Sequence, residues 1–416
     1  MRCLFYPSVV VLIVIAGLGC AKKGLVRDRY QPAYYEIPDL IKDRSVDHNP
    51  RFIVYGDNRP GWRVKERFYR KENWWTPKML LIPFYQIYWL GNGVLGSING
   101  IRMKPDYGDR QARRVRDAVY EEAKRSNVDF IVNTGDIATD GRYPDHWKTF
   151  IEQNKVEVPL VLEYPYLPTV GNHEHANDTT YGMPNYLDVF EYEPFYVIRC
   201  PDVDFFFADS DIIIDQGNLI DDDRQDTLFE KWFGGGVDPG EPAWLERELR
   251  ASEKSFKVVV MHHPPIGFAG HYHNWTDPGN GRDLLSKRQR FLELLARYDV
   301  TVVFTGHQHM YEHNVLEGIG DVDLNNDLHF VVTGGAGAPL HPGLSKEDIA
   351  ELEQTYRSEG LVAASVRQDV VYNYCLVEVT PDHISIDVYA VPDRRESPAV
   401  LIDHQIIEKP VMDSSQ

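Results

Sequence analysis

Phe52-Ile53-Val54-Tyr55-Gly56-Asp57-Asn58-Arg59 is an apolar run that breaks at a glycine into a carboxylate, an amide and a guanidinium. The chain repeats this design three times. Residues 130–132 lead to Thr134-Gly135-Asp136, residues 258–260 to Met261-His262-His263-Pro264-Pro265, and residues 302–304 to Gly306-His307-Gln308-His309. Another polar segment, Gly171-Asn172-His173-Glu174, stands between the second and third of these. Short runs of β-branched and aromatic residues read as strands. The oxygen and imidazole groups therefore emerge at strand ends, where an α/β sheet presents its loops to a ligand. A lone Gly-Asp is a common turn, and a lone histidine is commonly satisfied in a core; the ordered set points to a ligand site.

The residue types point to a pair of metal ions. Two ions about 3.5–4 Å apart clamp a phosphoryl group while a bridging hydroxide attacks in line. Such a centre needs a carboxylate able to bind both ions, and neutral imidazoles and an amide limit the accumulated negative charge. A mixed Asp/Asn/His set suits manganese, iron or zinc better than calcium, and no cysteine lies in the motifs to demand a soft metal. The expected cofactor is two divalent or trivalent ions, and the expected chemistry is hydrolysis of phosphate mono- or diesters.

These segments resemble the pattern of the calcineurin-like metallophosphoesterase superfamily, which runs GDxH, GDxxD, GNHE, HHPP-like and GHxH. The likeness extends from about residue 52 to about residue 390. Gly306-His307-Gln308-His309-Met310-Tyr311-Glu312-His313, Val332-Thr333-Gly334-Gly335-Ala336-Gly337 and Ala243-Trp244-Leu245-Glu246-Arg247-Glu248-Leu249 are similar to segments of its purple-acid-phosphatase branch. The resemblance implies an α/β fold of two packed mixed β-sheets flanked by helices. Carried over by position, it puts Asp57 and His309 on the first metal and Asn172, His262 and His307 on the second, with Asp136 bridging. It makes His173 the residue that protonates the leaving oxygen or steadies the transition state. Glu174 is then a support for its loop, and His263 a wall of the site or a support rather than a ligand.

Two positions depart from that pattern. Arg59 stands where the first motif usually carries a metal-binding histidine, and Thr139 where purple acid phosphatases carry a tyrosine. The first metal is short of one usual ligand, and no tyrosinate-to-iron colour is expected. Water, substrate, Asn58 or Asp140 are the candidates to complete it. Arg59 is a candidate catalytic residue, since a planar guanidinium fits phosphate oxygens bidentately; its alternative role is an ion pair with a neighbouring carboxylate. A fixed cation there also motivates a rival function, a non-catalytic metal- or phospholigand-binding module with a degenerate first metal site.

The 416 residues carry a formal net charge of −19, so nucleic-acid binding is not expected. A hydrophobic content of 43% is ample for a core. At the N-terminus Val9-Val10-Val11-Leu12-Ile13-Val14-Ile15-Ala16-Gly17-Leu18-Gly19-Cys20 precedes Lys22-Lys23, in the order of a targeting segment. Cys20 resembles the lipidated first residue of a bacterial lipoprotein, with Gly17 where leucine is usual. A conventionally cleaved signal and an uncleaved anchor are the alternatives. The expected organisation is a signal peptide over 1–19, a tether over 20–50 and a catalytic domain over 51–408, outside the cytoplasm, in the periplasm or at the outer membrane. Cys200 and Cys375 either pair or remain buried thiols.

Helical spacing is expected from Asp109 to about Ser126, with Ala112, Val115, Val119 and Ala123 on one face and Asp109 as cap. It is expected again over 282–298, with Leu284, Leu285, Phe291, Leu294 and Leu295 on the apolar face. Ser345 begins a short capped helix, and alternating runs at 374–379 and 384–388 read as closing strands. Residues 60–108 form an insertion: a basic cluster (Arg63, Lys65, Arg67, Arg70, Lys71), then Trp74-Trp75 and an uncharged run over 79–101. Pro83, Gln86, Asn92, Asn99 and four glycines in that run disfavour a lipid-exposed spanning helix. A lid over the site, a membrane-interface hairpin and a partner surface remain open. The expected substrate is a phosphorylated small molecule or lipid, with membrane association through the anchor and the insertion.

Overall fold

A computed structural model describes residues 37, 39–41, 44–59, 109–175, 182–190, 192–212, 243–275, 284–320, 322–393 and 397–409. The expected leader with Cys20, much of the 20–50 tether and the 60–108 insertion lie outside these residues. Thirteen strands are described: β1 Arg51–Tyr55, β2 Phe130–Asn133, β3 Tyr166–Pro168, β4 Tyr196–Arg199, β5 Val203–Phe207, β6 Phe256–Val260, β7 Val302–Thr305, β8 Tyr311–Ile319, β9 Val322–Thr333, β10 Leu361–Asp369, β11 Asn373–Val379, β12 His383–Ala390 and β13 Val400–Glu408.

They form two sheets, ordered β13-β12-β11-β1-β2-β3 and β10-β8-β9-β7-β6-β5-β4. Each is mixed. In the first, β1, β2 and β3 run parallel while β11 pairs antiparallel with β1. In the second, β5, β6, β7 and β9 run parallel and β4 and β8 are antiparallel neighbours. The parallel strands are buried along their length, as strands covered on both faces are. This is the α/β architecture of two packed mixed sheets that the motifs implied.

The sheets meet through aromatic and branched side chains. Phe52 of β1 stacks on Phe130 of β2 at 5.1 Å and meets Phe205 of β5 and Phe304 of β7 edge-on at 5.0 and 6.3 Å. Helix Asp109–Ser126 packs Val115, Val119 and Ala123 into the same core. Helices Trp244–Ala251, Leu284–Arg297 and Lys346–Ser358 cover the outer side of the second sheet through Leu245, Leu249, Phe291, Leu295 and Tyr356. In helix Leu284–Arg297 the apolar face is Leu284, Phe291, Leu292, Leu294 and Leu295, and Leu285 is exposed, contrary to expectation. Leu285 follows a buried Leu284 directly, and adjacent helical residues point about 100° apart. Ser345 caps the last of these helices through a reciprocal bond pair with Asp348.

At their carboxyl ends the parallel strands are joined across the two sheets. Gly56 N–H donates to Thr333 O at 3.0 Å, Ala336 N–H to Gly56 O at 3.0 Å, and Thr169 Oγ1 to Ala208 O at 2.7 Å. The loops after β1, β2, β3, β6 and β7 are thereby gathered at one end of the sandwich. Cys200 and Cys375 are buried and unpaired. Among the described residues no helix is long and apolar enough to cross a membrane.

Candidate metal centre

Local backbone geometry turns the side chains inward. Asp57, Asp136 and His307 take φ of 59°, 55° and 66°. Non-glycine residues held in that region cost about 1–3 kcal/mol each and cluster at functional sites. Gly306 is required by proximity: a Cβ there would lie 2.4 Å from Asp57 Oδ2. Gly135, at φ 94°, needs glycine for its conformation and for its contact with His262.

All six expected metal ligands meet at this end. His262 Nδ1 donates to Thr134 O at 2.8 Å, leaving a lone pair on Nε2. That lone pair faces Asn172 Oδ1 at 3.1 Å, Asp136 Oδ1 at 3.4 Å and His307 Nδ1 at 3.2 Å. An amide oxygen, a carboxylate oxygen and an imidazole lone pair thus converge, and at most one proton, from His307, can sit among them. Such a set is the signature of a cation position. Asn274 Nδ2 lies 2.7 Å from His307 Nε2. Which end of that amide faces the ring sets the tautomer: the amide nitrogen puts the proton on Nδ1, and the oxygen frees Nδ1 to ligate.

On the other side of Asp136, His309 Nδ1 donates to Pro339 O at 2.7 Å, and its Nε2 lone pair lies 3.3 Å from Asp57 Oδ1. Asp57 is fully buried and its Oδ1 has no hydrogen-bond partner. Burial and the Asp136 charge push the Asp57 carboxyl up to about 8, against the pull of Arg59 and His262. Burial raises Asp136 too, but electrostatic attraction to His173, His262 and Arg59, with the His173 backbone N–H, holds it well below the usual carboxylate range. Here, however, the space between donors is already used. Arg59 Nε donates to Asp136 Oδ2 at 3.0 Å and Nη2 lies 3.4 Å from His309 Nε2. Arg59 thus makes the expected ion pair with a neighbouring carboxylate, that of Asp136, which the resemblance implies as the bridge. Asn58 and Asp140 are engaged elsewhere: Asn58 Oδ1 accepts from Asn133, and Asp140 holds Arg142.

His173 donates its backbone N–H to Asp136 Oδ1 at 3.0 Å and its Nδ1–H to Thr139 O at 2.5 Å, and its Nε2 lies 3.8 Å from Asp136 Oδ2. Burial and the Arg59 charge push its pKa down to about 4. Glu174 accepts four backbone N–H bonds, from Asp136, Ile137, Ala138 and Gly171. His263 Nδ1 and Ser210 Oγ are 2.8 Å apart, and Nε2 is buried without a partner. It gathers with the ligand atoms of His262 and His307 inside 4.8 Å, closer than a plain wall requires.

Sequence reading missed the outer imidazoles. His271 lies 4.5 Å from His307 and 4.7 Å from His341, which stacks on His309 at 3.9 Å. The run His271-Tyr272-His273-Asn274, a few residues past His262, carried a visible signal; His341, alone in a proline-flanked loop, carried none. A third group, His175, Asp209 and Asp211, holds a 2.8 Å ion pair between His175 Nε2 and Asp209 Oδ2.

The family model for calcineurin-like phosphoesterase matches residues 105–311, which include every expected ligand except Asp57. Purple acid phosphatase 3 of Arabidopsis thaliana is 23% identical over 261 residues, 60% of this chain and 65% of its own length. The Fe(3+)-Zn(2+) purple acid phosphatase 12 of the same plant is 23% identical over 226 residues, 50% of this chain and 44% of its own. The chain therefore spans less than two thirds of these curated relatives. Among solved structures, a purple acid phosphatase from yellow lupin (Lupinus luteus) seeds superposes with a TM-score of 0.53 at 14% identity, covering 87% of this chain and 54% of that one. The chain belongs to the calcineurin-like metallophosphoesterases, a family of phosphoric ester hydrolases. Within that family its relatives place it with the purple-acid-phosphatase-like branch, and the family implies a dinuclear metal centre.

Proposed function

We propose that the chain is an extracytoplasmic, metal-dependent phosphohydrolase acting on phosphate mono- or diesters. The observation that carries the reading is the convergence of Asn172 Oδ1, His262 Nε2, His307 Nδ1 and Asp136 Oδ1 around a point that protons alone cannot satisfy. These four residues would hold the metal, and the donor set suits manganese, iron or zinc; one relative is named for iron and zinc. When bound, a metal supplies Lewis-acid polarisation of the phosphoryl oxygen and a water poised for in-line attack.

The chain's own groups supply the rest. Asp136 and Glu174 fix the ligand loops, and Arg59 presents a fixed positive charge to an anionic substrate. His173 carries its Nδ1 proton on Thr139 O, so proton exchange with a leaving oxygen runs through Nε2. Its depressed pKa leaves it neutral in the free protein near pH 7. A bound phosphate anion, by adding negative charge, raises it toward the range of a general acid.

The N-terminal sequence motivates the location, and the aromatic, basic 60–108 insertion motivates a lipid-linked or membrane-proximal phosphate ester. A hydrolysis screen of the full chain, reading inorganic phosphate from nucleotides, sugar phosphates and lipid phosphates and the freed phenol from aryl mono- and diesters, with manganese, zinc or iron supplied, tests the activity. Release from none of them overturns it. Deletion of 74–101 should depress lipid-phosphate turnover far more than turnover of a small soluble ester; equal losses sink the lipid idea. Membrane retention lost on Cys20→Ser is expected for a lipid anchor. Arg59 among the metal donors favours one second reading, a non-catalytic binding module, which requires no phosphate release at all.

A further inference from the structure

We infer that the Arg59 guanidinium takes the place of one of the family's two metal ions, so that this chain holds a single metal, on the Asn172–His262–His307 side of Asp136. The inference rests on the metal-dependent reading above and narrows it.

Three donors remain for a first metal: Asp57 Oδ1, Asp136 Oδ2 and His309 Nε2. Arg59 already contacts two of them, Asp136 Oδ2 through Nε at 3.0 Å and His309 Nε2 through Nη2 at 3.4 Å. His309 offers a lone pair there, because its other ring nitrogen donates to Pro339 O. An ion binding these atoms at about 2.0–2.2 Å would stand where the guanidinium now stands. The Arg59 side chain is 7% exposed and lies against the carboxylate it neutralises, so it does not trail into solvent as surface arginines do. Among the described residues no replacement ligand is at hand: Thr139 follows the motif where a tyrosine would reach in, and Asn58 and Asp140 are tied to Asn133 and Arg142. The second position keeps all its expected ligands, and among the described residues no arginine or lysine is hydrogen-bonded to its imidazoles.

The guanidinium also keeps a function that a merely structural ion pair would not need. Its Nη1 is buried and has no hydrogen-bond partner. A fork with two nitrogens anchored and the third open is built to receive one more acceptor, and a phosphoryl oxygen fits it in charge and shape. The centre becomes one metal and one guanidinium facing each other across Asp136.

Metal content decides the matter without reference to rate. The full chain, stripped with a chelator, reloaded with manganese and dialysed, is analysed for manganese per chain and by electron paramagnetic resonance. The expected result is one equivalent with an uncoupled six-line spectrum. Arg59→His, which removes the cation and restores a ligand, should take up a second equivalent and show an exchange-coupled spectrum. Two equivalents in the unaltered chain overturn the inference and leave the phosphohydrolase reading standing. No bound manganese in the unaltered chain overturns both. A folded Arg59→His protein that stays at one equivalent also overturns it, and if that variant does not fold, the stoichiometry of the unaltered chain decides alone.

Discussion

Glu174 holds the backbone of Asp136: its Oε2 accepts the Asp136 N–H at 2.8 Å and the Gly171 N–H at 2.9 Å, while Oε1 accepts those of Ile137 and Ala138 at 2.9 Å. One buried carboxylate thus ties the loop of Asp136, strained at φ 55°, to the loop that carries Asn172. Glu174→Gln keeps the shape but turns an amide donor toward N–H donors. Losing such outer support typically weakens metal binding by about 10–100-fold, and leaving buried donors unmet costs about 1–3 kcal/mol. Chelator competition and urea unfolding should show both losses. Full metal retention in Glu174→Gln would mean that the two loops hold themselves.

His173 meets Asp136 through its backbone N–H at 3.0 Å and its Nε2 at 3.8 Å, and it is not in the donor groups formed by the described residues. His173→Asn should therefore leave metal content intact while lowering turnover by about 10²–10⁴, the usual worth of a positioned proton donor or acceptor. The loss should be smallest on esters with acidic leaving groups, which need no proton. A uniform loss across leaving groups would assign His173 to transition-state charge instead.

Phe52 tests the joint between the sheets. Its ring meets Phe130 from its own sheet and Phe205 and Phe304 from the other. Phe52→Ala should cost about 3–5 kcal/mol of stability, seen as a lower denaturant midpoint at unchanged slope. A loss under 1 kcal/mol would show that the core collapses around the gap.

The thiols of Cys200 and Cys375 are buried, and burial pushes both up to about 12. A native-state thiol reagent should label neither, and both should react in denaturant. Rapid labelling of either one in buffer would contradict the packing around it.

Much of the site was legible because ligand chemistry and strand ends coincide. An apolar run marks a strand, and the residue types that follow it are read directly, which placed Asp57, Asp136, His262, His307 and His309 at strand ends; Asn172 and the share of each residue in the metal site came from the resemblance. The sheets followed from the same runs. What stayed hidden depends on approach in space. His341 sits in a loop with no period of its own, and only the turn after Ala338 lays it on His309. Asn274 owes its role to a 2.7 Å approach to His307 that no sequence pattern marks. For Arg59 the sequence offered phosphate or carboxylate, and the carboxylate partner emerged only from the 3.0 Å contact with Asp136. Leu285 failed for a simpler reason: it lies in the first turn, outside the buried arc that takes in Leu284, Phe291, Leu292, Leu294 and Leu295.

His313 and His329 sit on paired strands β8 and β9, with His313 Nε2 and His329 Nδ1 3.0 Å apart. In a neutral pair one ring donates and the other accepts; two charged rings would repel. Burial, then the neighbouring His329, pushes His313 down to about 4, with Asp403 acting weakly the other way. Burial also lowers His329, opposed by Asp327. An unfolded histidine titrates near 6.5. Between about pH 6.5 and 4 the unfolded chain therefore binds a proton at residue 313 that the folded chain refuses. The folded state is at full advantage above pH 6.5, loses it as pH falls, and changes no further from this residue below about 4, the slope approaching 1.4 kcal/mol per pH unit for a whole proton. His313→Gln keeps a donor and an acceptor on the strand but cannot titrate. Urea unfolding of both proteins from pH 7.5 to 4 should show the unaltered chain losing stability faster, with the two curves parallel above pH 7. Parallel curves across the whole range would mean that the folded strands accept the proton, and that the His313–His329 contact opens as it arrives.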